Sequence, residues 1–221
     1  MVTPLDRPAA AAARAGGAAL AGATRALAAI RPAAKPLHPL GRLRTARVER
    51  HGCTRPTGVA WLDEPGADEV LVRVSRAVGL PEALPDIHGL AVRIPLPNGT
   101  AADLLLASTG SGRVSRFVLT ASRGLEGRPL TTLLPYRTPS GPVILRARPT
   151  APDDFELSVA SPGGEWRPFA MLRLGPEAAD QRRVSFDPVL NTLPGLEPYD
   201  WVRRLREPAY RVARRTRRPG P

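Results

Sequence analysis

Two residue types are almost missing from this 221-residue chain: Cys53 is its only cysteine and Lys35 its only lysine. A lone cysteine excludes an intramolecular disulfide framework and any cysteine-rich zinc or iron–sulfur site, and a reducing cytoplasm is the simplest compartment for it. The three histidines show no ligand spacing such as His-x-x-x-His, which argues against a zinc site. No uninterrupted apolar run reaches the roughly 18 residues that a transmembrane helix needs. The Ala-rich stretch from Ala9 to Ile30 comes nearest, but Arg14 and Arg25 interrupt it and its glycines weaken it. A nucleophile elbow of the Gly-x-Ser-x-Gly type is absent, so a serine hydrolase has little support. Gly110-Ser111-Gly112 fits neither Walker nor dinucleotide spacing and reads as a hairpin turn.

Positive charge is plentiful. There are 32 Lys+Arg against 20 Asp+Glu, a formal net charge of +12, and nearly all of it is arginine. Guanidinium forks suit carboxylates and phosphates better than ammonium groups do, so a carboxylate-bearing cofactor, a nucleic acid and an anionic membrane all satisfy this preference. Charge bounds the partners and leaves the chemistry open. The densest cluster is C-terminal, at Arg203, Arg204, Arg206, Arg211, Arg214, Arg215, Arg217 and Arg218, where only Glu207 offsets it. Few aromatics interleave with these arginines, which argues against base stacking, and no specific nucleic-acid partner is expected.

With 43% apolar residues the chain is long enough for one sizeable domain. Residues 1–35 form an Ala-rich arm, in which Leu20, Leu27 and Ile30 recur near helical spacing and Pro32 and Pro36 end the helix. Residues 36–215 form the body and 216–221 a basic tail. The middle of the body consists of short apolar runs broken by turn residues. The expected strands are Val70 to Ser75, Leu90 to Leu96, Leu104 to Ala107, Arg116 to Thr120, Val143 to Arg148, Phe155 to Ala160, Phe169 to Leu174 and Val184 to Phe186. Turn chemistry such as Pro97-Asn98-Gly99 and Ser161-Pro162-Gly163-Gly164 separates them. About eight such strands predict a mainly β, α+β domain built as an antiparallel barrel or sandwich, in which closure removes exposed edges. Asp200 can N-cap a C-terminal helix containing Trp201, Val202 and Leu205.

Arg73-Val74-Ser75 and Asp86-Ile87-His88-Gly89-Leu90-Ala91-Val92-Arg93-Ile94 resemble the barrel-strand signature of catalase-like haem proteins. His38-Pro39-Leu40-Gly41 looks like that family's distal His-x-x-Gly element, and Arg206 with Tyr210 matches its proximal pair. The resemblance covers roughly residues 36–215. It implies a catalase-like barrel with an N-terminal helical arm and a C-terminal helix, holding haem b. Tyr210 would ligate the iron, Arg206 would support its phenolate and Arg73 would pair with a haem propionate. The catalytic set would be His38, Ser75 and Thr109, acting on peroxide or an organic hydroperoxide. The oligomeric state stays open.

The residues themselves make these roles chemically sensible. Peroxide cleavage requires a base that takes a proton from one oxygen and returns it to the other, and an imidazole near pKa 6.5 does both. A serine two residues beyond an arginine on a strand faces the same side as that arginine. An arginine four residues before a tyrosine on a helix lies one turn away on the same face and stabilises a phenolate. The plain alternatives are an outward polar pair at Arg73 and Ser75 and a surface aromatic at Tyr210. His51 offers a second candidate for the distal base, whereas His88 stands where the family carries an arginine and reads as structural.

The chain also departs from the family pattern. Catalases orient peroxide with an asparagine amide, but Asp103-Leu104-Leu105-Leu106-Ala107-Ser108-Thr109 offers hydroxyls there, which favours weak peroxidase chemistry over rapid dismutation. Pro208 lies between Arg206 and Tyr210, and their geometry survives if the proline occupies the helix's first turn. The second functional expectation is a haem-free basic barrel acting as an interaction or polyanion-binding module.

Overall fold

The computed structural model describes residues 41–77, 83–180 and 184–204. His38, Arg206, Tyr210 and the N-terminal arm lie outside the described residues. Ten strands are present among the described residues: β1 Gly41–Arg50, β2 Gly66–Arg76, β3 His88–Pro95, β4 Ala101–Ser108, β5 Leu130–Thr131, β6 Tyr136–Thr138, β7 Gly141–Ala151, β8 Asp154–Ala160, β9 Arg167–Glu177 and β10 Glu197–Pro198. A short helix, α1 (Ala60–Asp63), joins β1 to β2.

All pairings are antiparallel, in the order β10-β6-β7-β5-β4-β3-β2-β1-β9-β8. An additional β7–β8 pairing closes eight of these strands into a barrel, as the spacing of apolar runs predicts. Closure leaves the eight ring strands without an unpaired edge.

Alternation builds the core. Val70 and Val72 of β2, Leu90, Val92 and Ile94 of β3, and Leu104 and Leu106 of β4 point inward and join one apolar cluster with Phe155, Leu157 and Leu172 from the opposite wall. The intervening residues of β2–β4 form the outer face of that wall. Trp61 of α1 meets Phe169 edge-on, with ring centroids 5.7 Å apart.

Two expected strands are corrected. The Arg116 to Thr120 run begins inside a 3₁₀ turn, Ser115–Phe117, in which Arg116 is buried while the flanking Val114 and Val118 face solvent, the reverse of the expected pattern. Val184 to Phe186 is an irregular extended segment whose carbonyls serve side chains rather than a strand partner. The C-terminal helix occupies residues 200–204 of the described chain, and its first bond runs from the Arg203 N–H to the Tyr199 carbonyl, which places the cap at Tyr199 rather than Asp200.

Candidate functional site

Cross-strand register arranges the outer face of β1–β4 in rows, since directly opposed residues share a face. The first row is Gly41, Ser75, Gly89 and Ala107. The second is Leu43, Arg73, Ala91 and Leu105, and the third is Thr45, Leu71, Arg93 and Asp103. The first row therefore contains nothing larger than a hydroxymethyl group, and a guanidinium borders it.

The Arg93–Asp103 end of the third row is covered. Arg93 donates from Nε and Nη2 to the Asp103 carboxylate at 2.8 and 2.7 Å, and from Nη2 to the Ser185 carbonyl. Asp103 also accepts from the Asp187 N–H and the Asn191 amide. Arg73 donates to the Val184 carbonyl at 2.7 Å. The Phe186 ring lies against both guanidiniums, 5.1 Å from that of Arg73 and 4.9 Å from that of Arg93. Residues 184–187 thus hold both arginine heads against the wall, a role that sequence reasoning missed because the contacts span about a hundred residues of chain.

The strand period brings Arg73 and Ser75 to one face, as expected. Ser75 is buried, and it pairs across the β1–β2 ladder with Gly41, three residues after His38 in the sequence. Gly41 has no room for a side chain: a Cβ there would sit 2.8 Å from Cδ of Arg73. The His-x-x-Gly element thus ends in a glycine that the Arg73 stem requires.

The two hydroxyls offered in place of the asparagine amide differ. Ser108 faces inward, where it donates to the Thr120 carbonyl and accepts the His88 N–H. Thr109 is fully buried, and its Oγ1 has no hydrogen-bond partner among the described residues. His88 is buried with Nε2 3.1 Å from the Ser122 carbonyl, a structural role. His51 lies just beyond Arg50, at the opposite end of β1 from Gly41. Nine strand steps are roughly 30 Å, so the described fold keeps His51 away from Arg73 and Ser75. Among the described residues no cluster of three His, Cys, Asp or Glu could hold a metal ion, and no helix is long and apolar enough to cross a membrane.

Comparison with solved structures shows what class of architecture this is. The chain is similar to a fungal catalase, with a TM-score of 0.64 over 88% of this chain at 12% identity. The fold is therefore that of a catalase-like β-barrel. The match covers 61% of the fungal catalase chain. No protein-family model matches the chain, and no curated protein matches it in sequence.

Proposed function

We propose that the protein binds a b-type haem against the outer face of β2–β4 and acts as a weak peroxidase on peroxide or an organic hydroperoxide. One observation carries this reading: the row of small residues Gly41, Ser75, Gly89 and Ala107 runs beside the anchored head of Arg73. The described residues fit the group, because a flat macrocycle needs a wall without projecting side chains and its carboxylates suit a guanidinium. Likeness of fold to a fungal catalase supports the same choice.

Bound haem would supply the iron for redox chemistry, with a phenolate as its protein ligand. Tyr210 would provide that phenolate, and Arg206, four residues earlier in the sequence, would stabilise its charge. His38 would act as the base that takes a proton from one peroxide oxygen and returns it to the other. Ser75 orients that imidazole through its hydroxyl. Thr109 contributes its orphaned hydroxyl where catalases use an amide. The roles of His38, Arg206 and Tyr210 rest on their sequence motifs.

Visible absorption of protein expressed with added haem tests the reading. The expected result is a tyrosinate-type Soret band that changes in Tyr210→Phe, and an unchanged band in that variant rejects the proximal assignment. Absence of haem uptake, combined with salt-sensitive nucleic-acid retention that is lost on deleting the arginine-rich tail, would favour the polyanion-binding module instead.

A further inference from the structure

Beyond the far end of β1, three loops enclose a cavity of about 340 Å³. They are the segment after β1, the β6–β7 turn and the β8–β9 turn, which contribute Arg55, Ser140, Ser161 and Arg167 to its lining. Pro56, Pro142 and Val143 give it an apolar side.

Charge pairing makes this cavity unusual in the molecule. Most described arginines meet a carboxylate, as in Arg42–Glu177, Arg50–Asp68, Arg93–Asp103, Arg137–Glu197 and Arg148–Glu156. Arg55 and Arg167 make no ion pair within the described residues. The acidic residue beside them, Glu165, is engaged by Arg113. Two cations that share a concavity whose lining carboxylate is already paired with a third arginine create a positive potential there.

The frame around them is well tied. Arg167 opens β9 opposite Val159 of β8. The loop carrying Arg55 is held at one end by the His51 and Gly52 N–H groups on the Phe169 carbonyl, and at the other by Thr57 and Gly58 on the Asp63 carboxylate. The Ser140 N–H donates to the Thr57 carbonyl, and a Cβ on Gly58 would come within 2.7 Å of Pro139, so this loop and the β6–β7 turn pack tightly.

We infer that this cavity binds a small organic anion, an oxyanion headgroup on an apolar body, with Arg55 and Arg167 on the headgroup. Guanidinium forks match the geometry of carboxylate and phosphate oxygens. The Ser140 and Ser161 hydroxyls can add donors. The volume lies at the small end of ligand sites, which limits the body to about one ring. The site is distinct from the outer face of β2–β4 and independent of haem binding there.

Isothermal titration of the full-length protein at low salt tests the site, using phenyl phosphate and benzoate as anionic probes and phenol as the neutral one. Saturable binding of at least one anionic probe with none of phenol is expected, and the better probe identifies the headgroup. Arg55→Gln and Arg167→Gln should each weaken binding at least tenfold with unchanged circular dichroism, whereas Arg73→Gln should leave it unchanged. Arg55 is exposed, so its variant remains informative if Arg167→Gln fails to fold. No saturable anion binding to the wild type, or affinity retained in the folded Arg55→Gln variant, overturns the inference.

Discussion

Asp103 shows how much of the wall's geometry rests on single groups. Its carboxylate is almost fully buried and accepts from Arg93, the Asp187 N–H and the Asn191 amide. Asp103→Ala leaves a largely buried guanidinium and several donors without their acceptor. Loss of about 3–5 kcal/mol is expected, read from the urea midpoint, because removing one partner of a buried pair leaves the other uncompensated. Cys53 makes a second prediction at this scale. Burial is the main cause that pushes its thiol up to about 11 from 9.0, Asp63 adding to it and Arg167 opposing. The folded thiol should therefore react with iodoacetamide at pH 8 about a hundredfold more slowly than in the urea-unfolded chain. Equal rates would contradict the burial argument. Among site residues, Arg73 and Ser75 are legible in sequence because a two-residue period places both on one face. Val184 and Phe186 as partners of Arg73 are not, since nothing local announces a contact between β2–β4 and a segment so far along the chain.

β1 marks the limit of strand reading. It lies between β2 and β9 in the ring, yet its sequence Gly-Arg-Leu-Arg-Thr-Ala-Arg-Val-Glu-Arg offers few apolar residues, and the buried ones, Leu43, Ala46 and Val48, do not follow a two-residue period. Its arginines pair with Asp153, Glu69 and Asp68, so charge pairing rather than apolar content makes this strand legible only in three dimensions. β2, β3, β4, β7, β8 and β9 are legible, since each presents apolar residues to a single core. The Arg116 run misleads for the opposite reason: Arg116 is buried, with its guanidinium 4.4 Å from the Trp166 ring centroid, so the polar member of an apolar run is the one that packs. The β7–β8 seam closes the ring, and Phe155 is fully buried on it. Phe155→Ala should cost about 3–5 kcal/mol in equilibrium unfolding. A loss under about 1 kcal/mol would mean that the seam is not packed as described.

At the scale of the whole molecule, the balance of charge sets how the barrel responds to acid. Glu156 lies below the usual carboxylate range of 4.5, first because Arg148 donates to it, with Ser158 and Arg146 contributing and burial opposing. Its folded form binds a proton less readily than its unfolded form, so the stabilisation is present above about pH 4.5 and declines as pH falls through the folded value. The unfolding midpoint plotted against pH should fall on this acid limb, and Glu156→Gln should flatten the fall. A slope identical to wild type would remove Glu156 from the account.

The central claim is that the outside of the barrel wall, not its packed interior, receives the macrocycle. Ala91 sits on that wall beside Arg73, half-buried, with its neighbours on β3 facing the core. The most direct measurement is the Soret absorbance per mole of protein for Ala91→Trp after expression with haem. The indole projects onto the proposed binding face, so haem content at least tenfold below wild type is predicted, with far-ultraviolet circular dichroism unchanged. Wild-type haem content in a correctly folded Ala91→Trp variant would contradict the account.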